Sequence, residues 1–327
     1  MNCRSGPPDG AGAALGGQRA VVVEAARNLR AADRAFALAI VVEAEGSTYR
    51  KPGALALVAE GGFRVGVISG GCLEPALDDL GRAALAAAAP RDAVFDTRSD
   101  DDLVFGSGSG CRGRMRVLAL PVAPGQPCAA LEAIIAGFDA RRQARLDLAA
   151  LAPALFDAGH VSIRPPPLVL LLGAGPEAPP LLRIARTLGW FAWVADHRDG
   201  LLESTRLGEA DRLVHGRPAA VLAELAGEPL DAAVVMTHLA EHDLEALRLL
   251  AVREADYEVD YVGLLGPSAR RDELLARLTE AERSALAGRL HAPVGLPLGG
   301  EGPEAIALAI AADLLQAFSG PGRPRAR

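Results

Sequence analysis

Apolar positions first become periodic at Ala20, where AVVVEAARNLRAADR places them at helical spacing, and AFALAIVVEAEG then follows as a continuous apolar run of strand character. That run ends in a loop, GSTYRKPG. Residues 54–68, ALALVAEGGFRVGVI, set two short apolar runs about Gly61 and Gly62, the pattern of a hairpin. The turn SGGC leads into EPALDDLGRAALAAAA, which reads as a helix with Pro75 in its first turn, where a missing N–H costs nothing. Next come AVFDT, the polar and Gly-rich RSDDDLVFGSGSGCRG, the strand RMRVLALPV and a helix expected over 129–145. Together these predict an α+β unit of roughly 130 residues, an ordinary domain size.

Between Leu146 and Pro167 the periodicity weakens and RPPP follows, which reads as a linker or covering segment. From Leu168 strands and helices alternate: LVLLLGAG, EAPPLLRIARTLG, WFAWVAD, DRLVHG, AAVVMTH, HDLEALRLLAV, DYVGLLG and ARRDELLARL. Strands that are apolar throughout and joined by helices predict a parallel sheet covered on both faces. The expected fold is therefore α/β, an N-terminal α+β domain (20–150) followed by a C-terminal Rossmann-like parallel-sheet domain (165–320), with 1–19 and 320–327 expected to be disordered.

Composition narrows the functions. Half of the 327 residues are hydrophobic, and 34 Lys plus Arg against 41 Asp plus Glu give a formal charge of −7. That balance offers no general attraction to nucleic acid or anionic lipid, so any anion site is local. Cys3, Cys72, Cys111 and Cys128 form no C-x-x-C pair or His-interleaved spacing, which argues against structural zinc and a disulfide framework. Neither a signal-peptide core nor a charge-free span of membrane length is present, and a cytoplasmic protein is expected.

Three stretches carry candidate chemistry in the N-terminal half. In GSTYRKPGA, Arg50 and Lys51 bring two cations onto one loop, donors suited to a phosphate or a pterin-like anion. In SGGCLEP, a helix beginning just after Gly70, Gly71 and Cys72 directs N–H groups into the turn, favouring an anion and a thiolate, with Glu74 opposing. GSGSGCRG sets Cys111 and Arg112 in a second Gly-rich loop where a thiol is unshielded. A surface turn with solvated charges, and cysteines acting as small buried hydrophobes, are the structural alternatives.

In the C-terminal half, LLLGAGPEA gives Gly173, Gly175 and Ala178 in G-x-G-x-x-A spacing between strand and helix, and Asp196 ends the next strand 21 residues after Gly175. That pattern fits a dinucleotide, with phosphate at the helix start and the acid on a ribose hydroxyl. Pro179 and Pro180 remove donors from the same helix start, and a turn kept only for packing is the other reading. His238 after AAVVMT, and Arg270 with Arg271 after GLLGPSA, belong to the same carboxyl edge.

These stretches, read in order with YVGLLGPSARR and LHAPVGLPLGGEGPEAIALAIAADLL, resemble the XdhC family of accessory proteins for molybdenum hydroxylases over most of residues 40–318. The resemblance implies two family domains and a role in maturing enzymes such as xanthine dehydrogenase. Such a protein binds molybdenum cofactor, holds it while a cysteine desulfurase supplies the terminal sulfur, and passes it to the apo molybdenum hydroxylase; it is a carrier rather than a catalyst. On that reading Cys72 and Cys111 are soft ligands at the molybdenum–sulfur centre, and Arg50, Lys51 and Arg112 take the phosphate.

The chain departs from the family pattern twice: Pro176 stands where a His is usual after the second glycine, and Gly110-Cys111-Arg112-Gly113 replaces Gly-Cys-Gly-Gly. The first bears on nucleotide binding, the second on cofactor or partner. A rival expectation is an NAD(P)-dependent oxidoreductase working from Gly173, Gly175 and Asp196. A third is a module that docks a desulfurase or dehydrogenase without touching the cofactor, and self-association is left open.

Overall fold

The computed structural model of the chain describes residues 18–98, 112–203, 205–252 and 259–319. It divides into two compact units between Pro166 and Pro167. Residues 1–17 and 320–327, expected to be disordered, lie outside the described residues, whereas Gln18 and Arg19 open the first helix.

Unit 1 begins with α1 (Gln18–Ala31), β1 (Phe36–Gly46), β2 (Leu55–Ala59), β3 (Arg64–Val65), α2 (Glu74–Ala87), β4 (Arg91–Asp96) and β5 (Gly113–Val122). The strands form an antiparallel sheet of order β3-β2-β1-β5-β4. β1 is buried from Phe36 to Val42 because its two faces enter two cores. Phe36, Leu38 and Ile40 pack under α1 and a later helix, α3 (Ala129–Asp139). Ala39 and Val41 face the other way, where Ala56, Val58 and Ala119 meet Leu77, Leu80 and Ala84 of α2. Small residues on that face bring helix and sheet close: a Cβ on Gly81 would meet the Val58 side chain at 2.7 Å.

The segment after β5 differs from the sequence reading. α3 stops at Asp139, short of the expected 145, because Arg141 turns the chain at φ 50°. Of the two readings of residues 146–166, linker or covering segment, the structure has the second in ordered form: β6 (Ala144–Asp147), α4 (Leu148–Leu151) and β7 (His160–Ile163) follow, with β6 and β7 paired antiparallel. Leu146, Val161 and Ile163 join the α1–α3 core, which ties this hairpin into unit 1.

Unit 2 runs β8 (Leu168–Leu172), α5 (Ala178–Leu188), β9 (Phe191–Asp196), α6 (Asp199–Leu202), β10 (Arg212–His215) and α7 (Pro218–Glu224). It continues with β11 (Ala232–Val235), α8 (Ala240–Ala251), β12 (Tyr261–Leu264), α9 (Ser268–Ala276), α10 (Glu280–Leu286), β13 (Leu290–His291) and α11 (Pro303–Ser319). All six strands are parallel, in the order β10-β9-β8-β11-β12-β13. This is the doubly wound Rossmann order, with its topological switch between β8 and β11. Strands such as LVLLL are buried end to end, and two apolar cores cover the two faces.

Candidate functional site

In unit 1 the loops carrying Arg50 with Lys51 and Arg112 meet at one end of the sheet. The last residue of β1, Gly46, pairs with the first of β5, Gly113, and Ser47 N–H donates to the Arg112 carbonyl at 3.2 Å. Both glycines are demanded by this approach: a Cβ on Gly46 would lie 2.7 Å from the Arg112 carbonyl oxygen, and one on Gly113 2.5 Å from that of Ser47. The loop carrying Arg50 and Lys51 is thereby locked to the strand start carrying Arg112. Within the loop, Thr48 donates to the Arg50 carbonyl at 2.8 Å, and Lys51 Nζ reaches Thr48 Oγ1 at 3.3 Å. Lys51 and Arg112 are exposed, Arg50 is half-buried, and burial lowers the Arg50 guanidinium from its usual range.

The turn holding Cys72 leads into α2. Gly81 lies against Val58, whose partner Ala37 is near the start of β1, so α2 begins about 10 Å away toward the end of β1. Leu73, next to Cys72, shares its core with Ala54 and Met115, which flank the two locked loops. Cys72 is exposed. The free N–H groups expected in this turn are largely taken. Gly71 and Leu73 N–H donate to Ser69 Oγ at 3.1 and 3.0 Å, Ser69 N–H donates to Glu74 Oε1 at 3.0 Å, and the Ser69 hydroxyl donates to Glu74 Oε2. Burial pushes Glu74 up, but the Ser69 hydrogen bonds and the Arg64 charge outweigh it and hold the carboxyl below its usual range. Glu74 is therefore the brace of the Cys72 turn. Gly70 and Gly71 are exposed, and a Cβ on either would meet nothing within 4 Å. Cys111 lies outside the described residues.

In unit 2, Gly173 follows β8 at φ 130°, and a Cβ there would lie 2.4 Å from the Met236 carbonyl oxygen at the end of β11. Close strand packing explains this glycine. Gly175 is different, since its Cβ would meet only the far end of the Glu177 side chain at 3.0 Å. Pro179 and Pro180 occupy the first turn of α5, and the first intrahelical bond, Leu181 N–H to the Glu177 carbonyl, comes after them. They cost the helix nothing. They do remove two donors from the place where a diphosphate would lie, and Glu177 adds a carboxylate there. The Asp196 side chain, 2% exposed, accepts from Ala174 N–H at 2.8 Å and from the Arg198 guanidinium at 2.8 and 2.7 Å. Burial raises this carboxyl, but those donors win and hold it far below the usual range.

Beside His238, to which the sequence already points, the same edge holds residues that sequence reasoning passes over. Five of the chain's six histidines belong to unit 2: His215 and His291 end β10 and β13, His197 directly follows β9, and His238 lies three residues after β11. The fifth, His242, is in the first turn of α8. The available signal is this repetition of histidine at strand ends. Rings of His197 and His242 pack edge to face at 4.5 Å, and those of His197 and His238 are near-parallel at 5.6 Å. Arg270 is committed to the buried Asp243 at 2.5 Å, which Thr237 also donates to at 2.6 Å. Among the described residues no group of three or more His, Cys, Asp or Glu is arranged to hold a metal ion, and no helix is long and apolar enough to cross a membrane.

An antiparallel α+β unit with an exposed thiol and two locked cation-bearing loops, followed by a Rossmann-type unit, defines a two-unit α/β protein. Family models described as the XdhC Rossmann domain and the XdhC and CoxI family match residues 169–314 and 29–96. The chain belongs to the XdhC and CoxI family. It is 30% identical over 317 residues to a probable xanthine dehydrogenase subunit from Bacillus subtilis (strain 168), covering 85% of this chain and 92% of that protein. It is 26% identical to the uncharacterized protein YqeB of Escherichia coli (strain K12) over 86% of this chain, but spans only 43% of that relative. A crystal structure described as a xanthine dehydrogenase from Bacillus halodurans matches with a TM-score of 0.75 and 28% identity, over 93% of this chain and 97% of that one.

Proposed function

We propose that the protein is a cytoplasmic accessory factor for a molybdenum hydroxylase of the xanthine dehydrogenase type. It binds molybdenum cofactor, presents it to a cysteine desulfurase for sulfuration, and delivers it to the apo-enzyme. The observation that carries this reading is the locked pair of loops bearing Arg50, Lys51 and Arg112, in the same unit as the braced and exposed Cys72 turn. The donor set suits the group: an exposed thiol for a soft metal–sulfur centre, and guanidinium and ammonium groups for a phosphate. Cys72, Cys111, Arg50, Lys51 and Arg112 would hold the cofactor, which when bound supplies the molybdenum–sulfur chemistry. The chain's own part is to keep Cys72 outward on a turn fixed by Ser69 and Glu74, so that little order has to be gained on binding.

This reading ranks above an NAD(P)-dependent oxidoreductase, which leaves the unit 1 loops without a purpose and meets a helix start short of two donors. The test is to purify the protein from a host that makes molybdenum cofactor and measure molybdenum and released pterin per chain, with Cys72→Ser and Cys111→Ser alongside. Near-stoichiometric molybdenum that falls at least about tenfold in the double variant is expected. Unchanged retention, or bound nicotinamide nucleotide with substrate turnover instead, overturns the proposal.

A further inference from the structure

The histidine edge of unit 2 is unused by the function proposed above, and it contains a buried group with an unmade hydrogen bond. His242 is 6% exposed, and its Nδ1 has no hydrogen-bond partner among the described residues. It lines a crevice at the carboxyl ends of β8, β9, β10 and β11, walled also by Gly173, Asp196, Gly216 and Thr237. The crevice has room for about one water, ≈ 10 Å³. A buried imidazole nitrogen without a protein partner is costly, and whatever satisfies it enters by this crevice.

His197 accounts for the missing space. Its ring packs edge to face on His242 and lies near-parallel to the exposed His238. The other polar walls are tied down: Asp196 by the Arg198 fork and Ala174 N–H, Thr237 by Asp243. Among the described residues the His197 ring has one polar contact, Asp196 Oδ1 at 3.3 Å, besides its packing on the two histidine rings, and its side chain remains 27% exposed. Of the groups filling this crevice it is therefore the one free to leave.

We propose that His197 plugs a slot for a planar heteroaromatic ring. When His197 swings out, a fused heterocycle enters beside His242, makes the hydrogen bond that Nδ1 lacks, and extends over the face of His238. Three features favour a flat ring over other ligands. The rings already there define face and edge contacts; the histidines form no metal-holding group; and the first turn of α5 has lost two donors and gained Glu177, so affinity must come from the ring and not from a diphosphate. The slot lies beside the switch between β8 and β11, where sheets of this order bind ligands. It is built by unit 2 alone and stands whether or not unit 1 carries molybdenum cofactor.

The decisive experiment titrates the full chain with pterin, followed by quenching of pterin fluorescence, and with adenosine and inorganic phosphate, followed by calorimetry. If the plugged arrangement holds about nine molecules in ten, His197→Ala binds the heterocycle roughly tenfold more tightly than the native protein. His197→Trp keeps the slot filled and is expected to abolish binding, and His242→Phe to weaken it at least about tenfold. Preference for pterin or for adenosine identifies which heterocycle the slot takes. The proposal is overturned if His197→Ala binds no more tightly than native protein, if neither heterocycle binds at millimolar concentration, or if phosphate competes with the ring. Should His197→Ala not fold, His197→Trp decides alone: heterocycle binding equal to that of the native protein sinks the idea.

Discussion

At the scale of the residue, Glu74 illustrates how a side chain that looks misplaced in sequence can be the support of a site. A carboxylate two positions after Cys72 reads as an obstacle to a thiolate. In the fold it is buried and accepts from both the N–H and the hydroxyl of Ser69, whose oxygen in turn accepts from Gly71 and Leu73. The sequence signal is a Ser five residues ahead of a Glu at a helix start, close to a capping box in logic but shifted in spacing. Because the folded carboxyl titrates below its ordinary range, its stabilisation is complete above the unfolded value and is lost as pH falls through the folded one. Glu74→Gln should therefore flatten the acid limb of a urea-midpoint profile between about pH 3 and 6 and lower stability at neutral pH. Ser69→Ala should cost about 1–3 kcal/mol at neutral pH, since it orphans a buried carboxylate oxygen and two N–H groups.

Among the elements, the two glycines of the Rossmann turn separate packing from ligand approach. Gly173 is fixed by a positive φ and by the Met236 carbonyl, so Gly173→Ala forces backbone to move and should destabilise unit 2 by about 2–4 kcal/mol. Gly175 has an ordinary φ and only a side-chain tip before it, so Gly175→Ala should change stability by less than about 0.5 kcal/mol. Denaturant melts of both variants check this, and equal losses would mean that the whole turn is packing. What the sequence makes legible follows the same division. The strand–turn–helix signature and the long apolar strands are readable because burial on both faces leaves uninterrupted apolar runs. β6 and β7 are not, because four-residue strands such as ARLD and HVSI carry too few positions to establish a period. The end of α3 is hidden because DARRQAR is made of good helix formers, and only the left-handed Arg141 breaks it. The histidine slot is invisible in sequence because rings from β9, β11 and α8 meet only after the sheet is ordered with β8 between β9 and β11.

For the whole molecule, each unit builds two apolar cores of its own, and the chain provides separate reporters for them. Its two tryptophans, Trp190 and Trp193, are both buried in unit 2, whereas backbone circular dichroism reads both units. A perturbation for each is available. Gly81→Ala in α2 gains helix propensity of about 1 kcal/mol but drives a Cβ to 2.7 Å from the stiff Val58, an overpacking cost of about 1–3 kcal/mol that should win. In unit 2, Asp313 of α11 accepts from the Tyr261 hydroxyl at 2.8 Å, lies 3.2 Å from His291 Nδ1, and accepts from Gly295 N–H at 3.1 Å, binding helix to sheet. Burial and that carboxylate hold the Tyr261 phenol protonated well above its usual range, so it serves as a donor throughout the working pH range. Tyr261→Phe removes one charge-assisted bond worth about 1.5–3 kcal/mol. The expected pattern is that Gly81→Ala lowers the circular dichroism midpoint and leaves the tryptophan midpoint in place, while Tyr261→Phe lowers the tryptophan midpoint. Adding Val58→Ala to Gly81→Ala should recover part of the loss, since the two side chains compete for one space. If instead both probes move together in both variants, stability is shared across the chain, and the unit-by-unit account of packing fails.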